Sequence, residues 1–119
     1  MAPVDLETRT SEFALRIIKL FSALPKTTEA QVLGKQLLRS GTSVGAHCRE
    51  AKRAKSTLDF VSKIEGALQE LDEACYWLEL IDKAGIISSK RLTAIQTEAV
   101  ELIKILVTVV RRTKDKMTK

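Results

Sequence analysis

The residues able to do chemistry are few, and their spacing works against most of it. His47 is the single histidine, and Cys48 is one of two cysteines. Adjacent residues diverge by about 100° on a helix, so this pair neither shares a metal nor forms a nucleophile and its base. Zinc usually takes four ligands. The chain has no second histidine, and Cys75 is far from Cys48. Ser40 and Ser43 have no histidine at a suitable spacing and read better as packing residues. Gly41-x-x-x-Gly45 would mark helix dimerisation only within a long apolar segment, which is missing. Glu70, Asp72, Glu73, Glu79 and Asp82 make an acidic face, but a two-metal bundle needs Glu-x-x-His pairs. None is present. The expectation is no catalytic residue, no metal and no cofactor, hence not an enzyme.

Positive charge is the better clue. Residues 39–55 carry Arg39, Arg49, Lys52, Arg53 and Lys55 against Glu50, a net of +4. Residues 102–119 carry Lys104, Arg111, Arg112, Lys114, Lys116 and Lys119 against Asp115, a net of +5. Residues 56–85 are net −5. Phosphate contact needs clustered Lys and Arg, although cations near helix C-termini also complement the helix dipole.

The elements that must position these groups are helices. Hydrophobic residues are 45% of the chain and charged ones 29%, with two prolines and no strand-type alternation. Apolar periodicity predicts helices over about 11–24, 28–54, 56–84 and 89–113. Phe13, Ile17 and Leu20 begin the first apolar face, and Pro25 stops that helix. Thr28 with Gln31 reads as a capping box for the second, and Ser56 with Asp59 as a weaker one for the third. Gly85 is placed to end the third helix in a left-handed conformation. The tail after Arg112 is polar and expected to fray. Short connections imply one domain over residues 1–119: an all-α, antiparallel, up-down-up-down four-helix bundle. Helices of this length give a rod of roughly 40 Å.

No apolar run approaches the roughly 18–20 residues of a membrane span. The opening residues MAPVDLETRT lack a charged-then-apolar leader. Two cysteines are too few for a disulfide framework, and both fall on apolar faces as reduced core residues. A cytoplasmic protein with no membrane contact is expected.

Residues 40–45 contain Gly41, Gly45 and three hydroxyl residues, which local rules read as a loop. The apolar phase nevertheless survives through Leu33, Leu37, Gly41, Val44, Cys48 and Ala51. This predicts a continuous helix in which each glycine costs about 1 kcal/mol against alanine. Close approach of a neighbouring helix is the expected gain.

The stretch from Ser40 to Gly85 resembles a bacterial family. Its pattern is carried by Ser40, Gly41, Ser43, Gly45, Glu50, Ser56, Asp59, Phe60, Glu70, Glu73, Tyr76, Trp77, Leu78 and Gly85. The family comprises four-helix-bundle proteins encoded in intervening sequences of large-subunit ribosomal RNA genes, sometimes labelled S23 ribosomal proteins. It is similar in turn to the accessory protein of diversity-generating retroelements. That resemblance implies a ring-like homo-oligomer, five-fold by analogy, and makes nucleic acid a candidate partner.

In an up-down-up-down bundle the ends of helices two and four lie together, so the two cationic clusters should converge. The leading expectation is therefore a non-enzymatic oligomeric accessory protein. It would bind structured RNA or DNA through phosphates at Arg39, Arg49, Lys52, Arg53, Lys55, Arg111, Arg112, Lys114 and Lys116. The alternative is a protein-interaction scaffold using Glu70, Glu73, Tyr76 and Trp77, with a protein as partner and no nucleic acid.

Overall fold

The computed structural model describes residues 5–118. Lys119, counted in the second cationic cluster, and the first four residues of the leader reading lie outside that range.

Four helices follow in order: α1 (Leu6–Ser22), α2 (Thr28–Lys52), α3 (Thr57–Lys83) and α4 (Ser89–Met117). The first begins earlier than its apolar face suggests. Asp5 caps it, accepting from the Thr8 backbone N–H at 3.1 Å and from the Thr8 hydroxyl at 2.6 Å. A side-chain cap, not hydrophobic spacing, sets that end.

Helix α2 is capped by Thr27, which accepts from the Ala30 N–H at 3.3 Å. The cap is thus Thr27 and not the expected Thr28, and no reciprocal box forms with Gln31. Gln31 instead donates its amide to the Pro25 carbonyl at 2.9 Å. The helix runs unbroken through residues 40–45, as its apolar phase predicts. Ser40, Thr42 and Ser43 turn their hydroxyls back onto the carbonyls of Gln36, Leu38 and Arg39 at 2.9, 2.8 and 2.7 Å. These bonds satisfy the hydroxyls inside the helix.

The glycines let α1 come close. A methyl group on Gly41 would sit 2.9 Å from Ile17 Cγ1, and one on Gly45 would sit 3.3 Å from Thr10 Oγ1. Gly34, which periodicity alone passes over, does the same about two turns before Gly41 against Phe21, at 2.9 Å, and Leu24.

Helix α3 opens at Ser56, which accepts from the Asp59 N–H at 3.0 Å, while Asp59 accepts from the Lys55 N–H at 3.1 Å. It closes at Gly85, where φ is +70°. There the Ile86 N–H donates to Ile81 and the Gly85 N–H to Asp82, at 3.1 and 3.0 Å. This pairing meets the last carbonyls of the helix. Helix α4 continues past Arg112 to Met117 instead of fraying. Thr113 donates to the Val109 carbonyl at 2.7 Å, and Lys114 pairs with Glu65 of α3 at 3.0 Å.

Each helix packs antiparallel on its chain neighbour. The α2–α3 contact is the broadest and the α1–α4 contact the narrowest. Phe13, Ile17, Leu37, Val44, Ile64, Leu71, Leu78, Leu92, Leu102 and Leu106 fill the centre and are essentially fully buried. Burying each large side chain contributes about 1.5–3 kcal/mol. Across the α1–α4 seam the polar tie is Arg9 with Glu98, a two-pronged pair at 2.9 and 3.0 Å. The bundle measures 52 × 26 × 21 Å, longer than expected because α4 extends to 29 residues. Among the described residues no helix is long and apolar enough to cross a membrane.

Candidate nucleic-acid interface

The end of α2, the start of α3 and the end of α4 share one end of the bundle. Lys52 of α2 and Lys116 of α4 line the same shallow cleft of about 570 Å³, with Phe60 of α3 between the helices. A second cleft of about 680 Å³ lies beside it over α2. Gly45 and Ala46 line it together with Arg49, Arg53, Lys55 and Lys63 and the carboxylates Glu50 and Asp59. The topology therefore brings Arg49, Lys52, Arg53, Lys55 and Lys116 to one end of the bundle, while Arg111 and Lys114 of α4, next to Arg112, line a separate cleft with Leu68 of α3.

Part of that charge is met internally. Glu7, in the first turn of α1, pairs with Arg49 at 3.2 Å and with Lys52 at 3.0 Å. The Lys52 hydrogen bond, with the charges of Lys52 and Arg49, holds the Glu7 carboxyl below its ordinary range. Lys114 is taken by Glu65, and Lys63 leans on Asp59 at 3.9 Å. Arg53, Lys55, Arg111, Arg112 and Lys116 have no ion pair with any described carboxylate. Residue counting over single segments missed Glu7, because it arrives from the other end of the sequence. The signal was Asp5-x-x-Thr8, which starts α1 early enough to carry Glu7 to this end.

Arg39 does not join the group. It stands on α2 about 20 Å from Arg53 along the helix axis. There it pairs with Glu70 at 3.2 Å and also with Glu73. Glu73 further accepts from the Trp77 ring N–H at 3.2 Å. Of the four residues expected to face a partner protein, Glu70 and Glu73 are thus engaged across the α2–α3 seam, and Trp77 is tied to Glu73 within α3. Tyr76 stays 52% exposed, its ring centroid 5.1 Å from that of Trp77 and tilted by 56°.

His47 and Cys48 separate as helix geometry requires. Cys48 is buried in the core, and burial pushes its thiol up to about 11, so it is not a thiolate near neutrality. Burial also raises the Cys75 thiol, with the Asp72 charge adding to it. His47 lies over Gly66 of α3, where a methyl group would sit 3.1 Å from Nδ1. Its Nδ1 has no hydrogen-bond partner and is 3.6 Å from Glu50, while Nε2 is 4.0 Å from Glu70. Among the described residues no group of three His, Cys, Asp or Glu side chains is disposed to hold a metal.

These features define an all-α four-helix-bundle protein whose charged groups are arranged on its surface. The family model described as the 23S rRNA-intervening sequence protein matches residues 4–108, and the chain belongs to that family. It is similar to a crystal structure from Bacteroides thetaiotaomicron, described as a protein of unknown function from the S23 ribosomal protein family. The two are 38% identical with a TM-score of 0.83, over 88% of this chain and 97% of the other. A comparison with curated proteins gives no match.

Proposed function

We propose that the protein is a non-enzymatic, cytoplasmic, oligomeric accessory protein. It binds structured nucleic acid through backbone phosphates at its basic end. The observation that carries this reading is the group Arg53, Lys55, Arg111, Arg112 and Lys116. These cations come from the ends of two helices, α2 and α4, and have no ion pair with a described carboxylate. Such a surface reads charge and shape, with little base recognition. The family's connection with ribosomal RNA genes is consistent with an RNA partner.

The test is a salt series. Nuclease-treated protein is titrated against a labelled structured RNA and a duplex DNA. Affinity should fall steeply with salt, with a slope of roughly 0.9 per phosphate contact on duplex DNA. Changing Arg49, Arg53, Arg111 and Arg112 together to Glu should abolish binding at unchanged helicity. Binding that survives the four changes would remove the basic end from the mechanism.

Exposed apolar residues favour an oligomer, and they also keep the scaffold reading in play. Leu15 is 64% and Ile18 44% exposed on α1, and Val100 and Val107 are 47% and 45% exposed on α4. A second copy is the proposed cover, in line with the resemblance to a ring-forming accessory protein. Capture of a single protein at fixed stoichiometry after nuclease treatment would favour the scaffold.

A further inference from the structure

A second group of cations gathers away from the basic end, where α1 closes on the start of α4. Arg16 and Lys19 of α1 and Arg91 of α4 line an open cleft of about 280 Å³, completed by Leu20 and Ile95. Lys90 precedes Arg91 in the first turn of α4. None of these four cations forms an ion pair with a described carboxylate. On the same helices Arg9 is met by Glu98 and Lys104 by Glu101, and the other cations of α4 without an ion pair lie at the basic end.

The neighbouring acids do not fill this role. Glu98 is held two-pronged by Arg9, and Arg16 acts on it only by its charge, beyond pairing distance. Asp82 accepts from Ser89 and, at 3.4 Å, from Gln96, both on α4. Glu12 makes no ion pair with Arg16 one turn on. The start of α4 adds to the positive potential, since its first turn has no acid and Ser88 makes no side-chain cap bond. Lys90 and Arg91 therefore stand against the positive end of the helix dipole. That placement is unfavourable in the free chain, and the two cations of α1 make it more so. An anion relieves all of it at once.

We infer that this cleft is a separate anion site that takes a phosphate group. Two guanidinium groups from different helices suit a tetrahedral oxyanion, because each presents a planar fork of donors. Lys19 adds point charge. Leu20 gives an apolar edge for a sugar or base carried by the phosphate. The phosphate comes either from a free nucleotide or from a nucleic-acid backbone. The site does not rest on the basic end: Arg91 and Arg111 are about 30 Å apart along α4.

The experiment is a titration of the isotope-labelled full chain, followed by amide chemical shifts at constant ionic strength set with chloride. The probes are inorganic phosphate, adenosine monophosphate and a short single-stranded RNA. Saturable shifts are expected in the last turns of α1 and the first turn of α4. Arg16→Ala with Arg91→Ala should weaken them by roughly tenfold or more for each guanidinium lost. Both arginines are exposed, so the variant keeps its helicity. Arg111→Ala with Arg112→Ala should leave these shifts intact, which separates this site from the basic end. Saturation by phosphate or the mononucleotide identifies a free phosphoryl ligand, and saturation by RNA alone identifies backbone phosphates. Shifts that do not saturate with any probe, or that persist in the Arg16/Arg91 variant, overturn the inference.

Discussion

At the scale of single residues, the small positions of α2 decide how α1 sits. Gly41 faces Ile17 with no room for a methyl group, and Gly45 faces Thr10 with little more. Their helix cost is outweighed by an approach that larger residues would prevent. Gly41→Leu should therefore destabilise the bundle by about 1–3 kcal/mol or more through overpacking. Urea denaturation reads this directly, and a variant as stable as the parent would contradict the packing role. Gly41 was legible because the apolar phase on either side of it never breaks. Gly34 was not, since a lone glycine between Leu33 and Leu37 carries no pattern of its own. His47 was legible only in part. Adjacency to Cys48 excluded a shared site, but nothing in the sequence placed Nδ1 against Gly66.

At the scale of elements, apolar spacing located the helices and side-chain bonding set their ends. The third helix was read almost whole, because Ser56, Asp59 and Gly85 announce its limits and its apolar stripe has no gap. Helix α1 starts at Leu6 because Asp5 caps it, five residues before the spacing suggested. Helix α4 continues to Met117 because Thr113 and Lys114 find partners on its own backbone and on α3. Neither bond shows as periodicity. The α1–α4 seam depends on Arg9 and Glu98, and it carries a pH signature. The Arg9 hydrogen bond, against a smaller burial cost, holds the Glu98 carboxyl below its ordinary value of 4.5. Stability from a lowered carboxyl is present above the unfolded value and is lost as pH falls through the folded one. Hydrogen exchange corrected for intrinsic rate should show α1 loosening relative to α3 between about pH 5 and pH 3. Glu98→Gln should exchange faster in α1 already near neutrality and show a smaller acid step. What remains of the step belongs to Glu7, whose carboxyl is lowered by Lys52 and Arg49, and to the cap Asp5, whose carboxyl is lowered by its hydrogen bonds from Thr8. An α1 whose exchange ignores both acid and Glu98→Gln would rule out the tie.

At the scale of the whole molecule, cations gather toward both ends of the bundle, and the larger group lies where α2 and α4 finish. Topology alone predicted that the ends of α2 and α4 would meet, and the cleft shared by Lys52 and Lys116 shows that they do. The count of available cations was less legible. Glu7 and Glu65 approach from elements outside the two basic segments, and Arg39 is drawn off to Glu70 and Glu73. The exposed apolar residues belong to this scale too. A proposed oligomer predicts sedimentation at a multiple of the single-chain mass, reduced to that mass by Val100→Asp with Val107→Asp. A parent chain that sediments as a monomer at high concentration would end that proposal.

The narrow α1–α4 seam has a consequence for how the chain reaches this shape. Every broad interface joins helices adjacent in sequence, and the Arg9–Glu98 tie spans 89 positions. Closing a long loop costs entropy before any contact rewards it, and chains built from local contacts fold fastest. Here most of the core can form hairpin by hairpin as the chain lengthens, with the long-range closure left until last. The bundle should collapse rapidly, with α1 docking onto α2 before α4 exists to meet it.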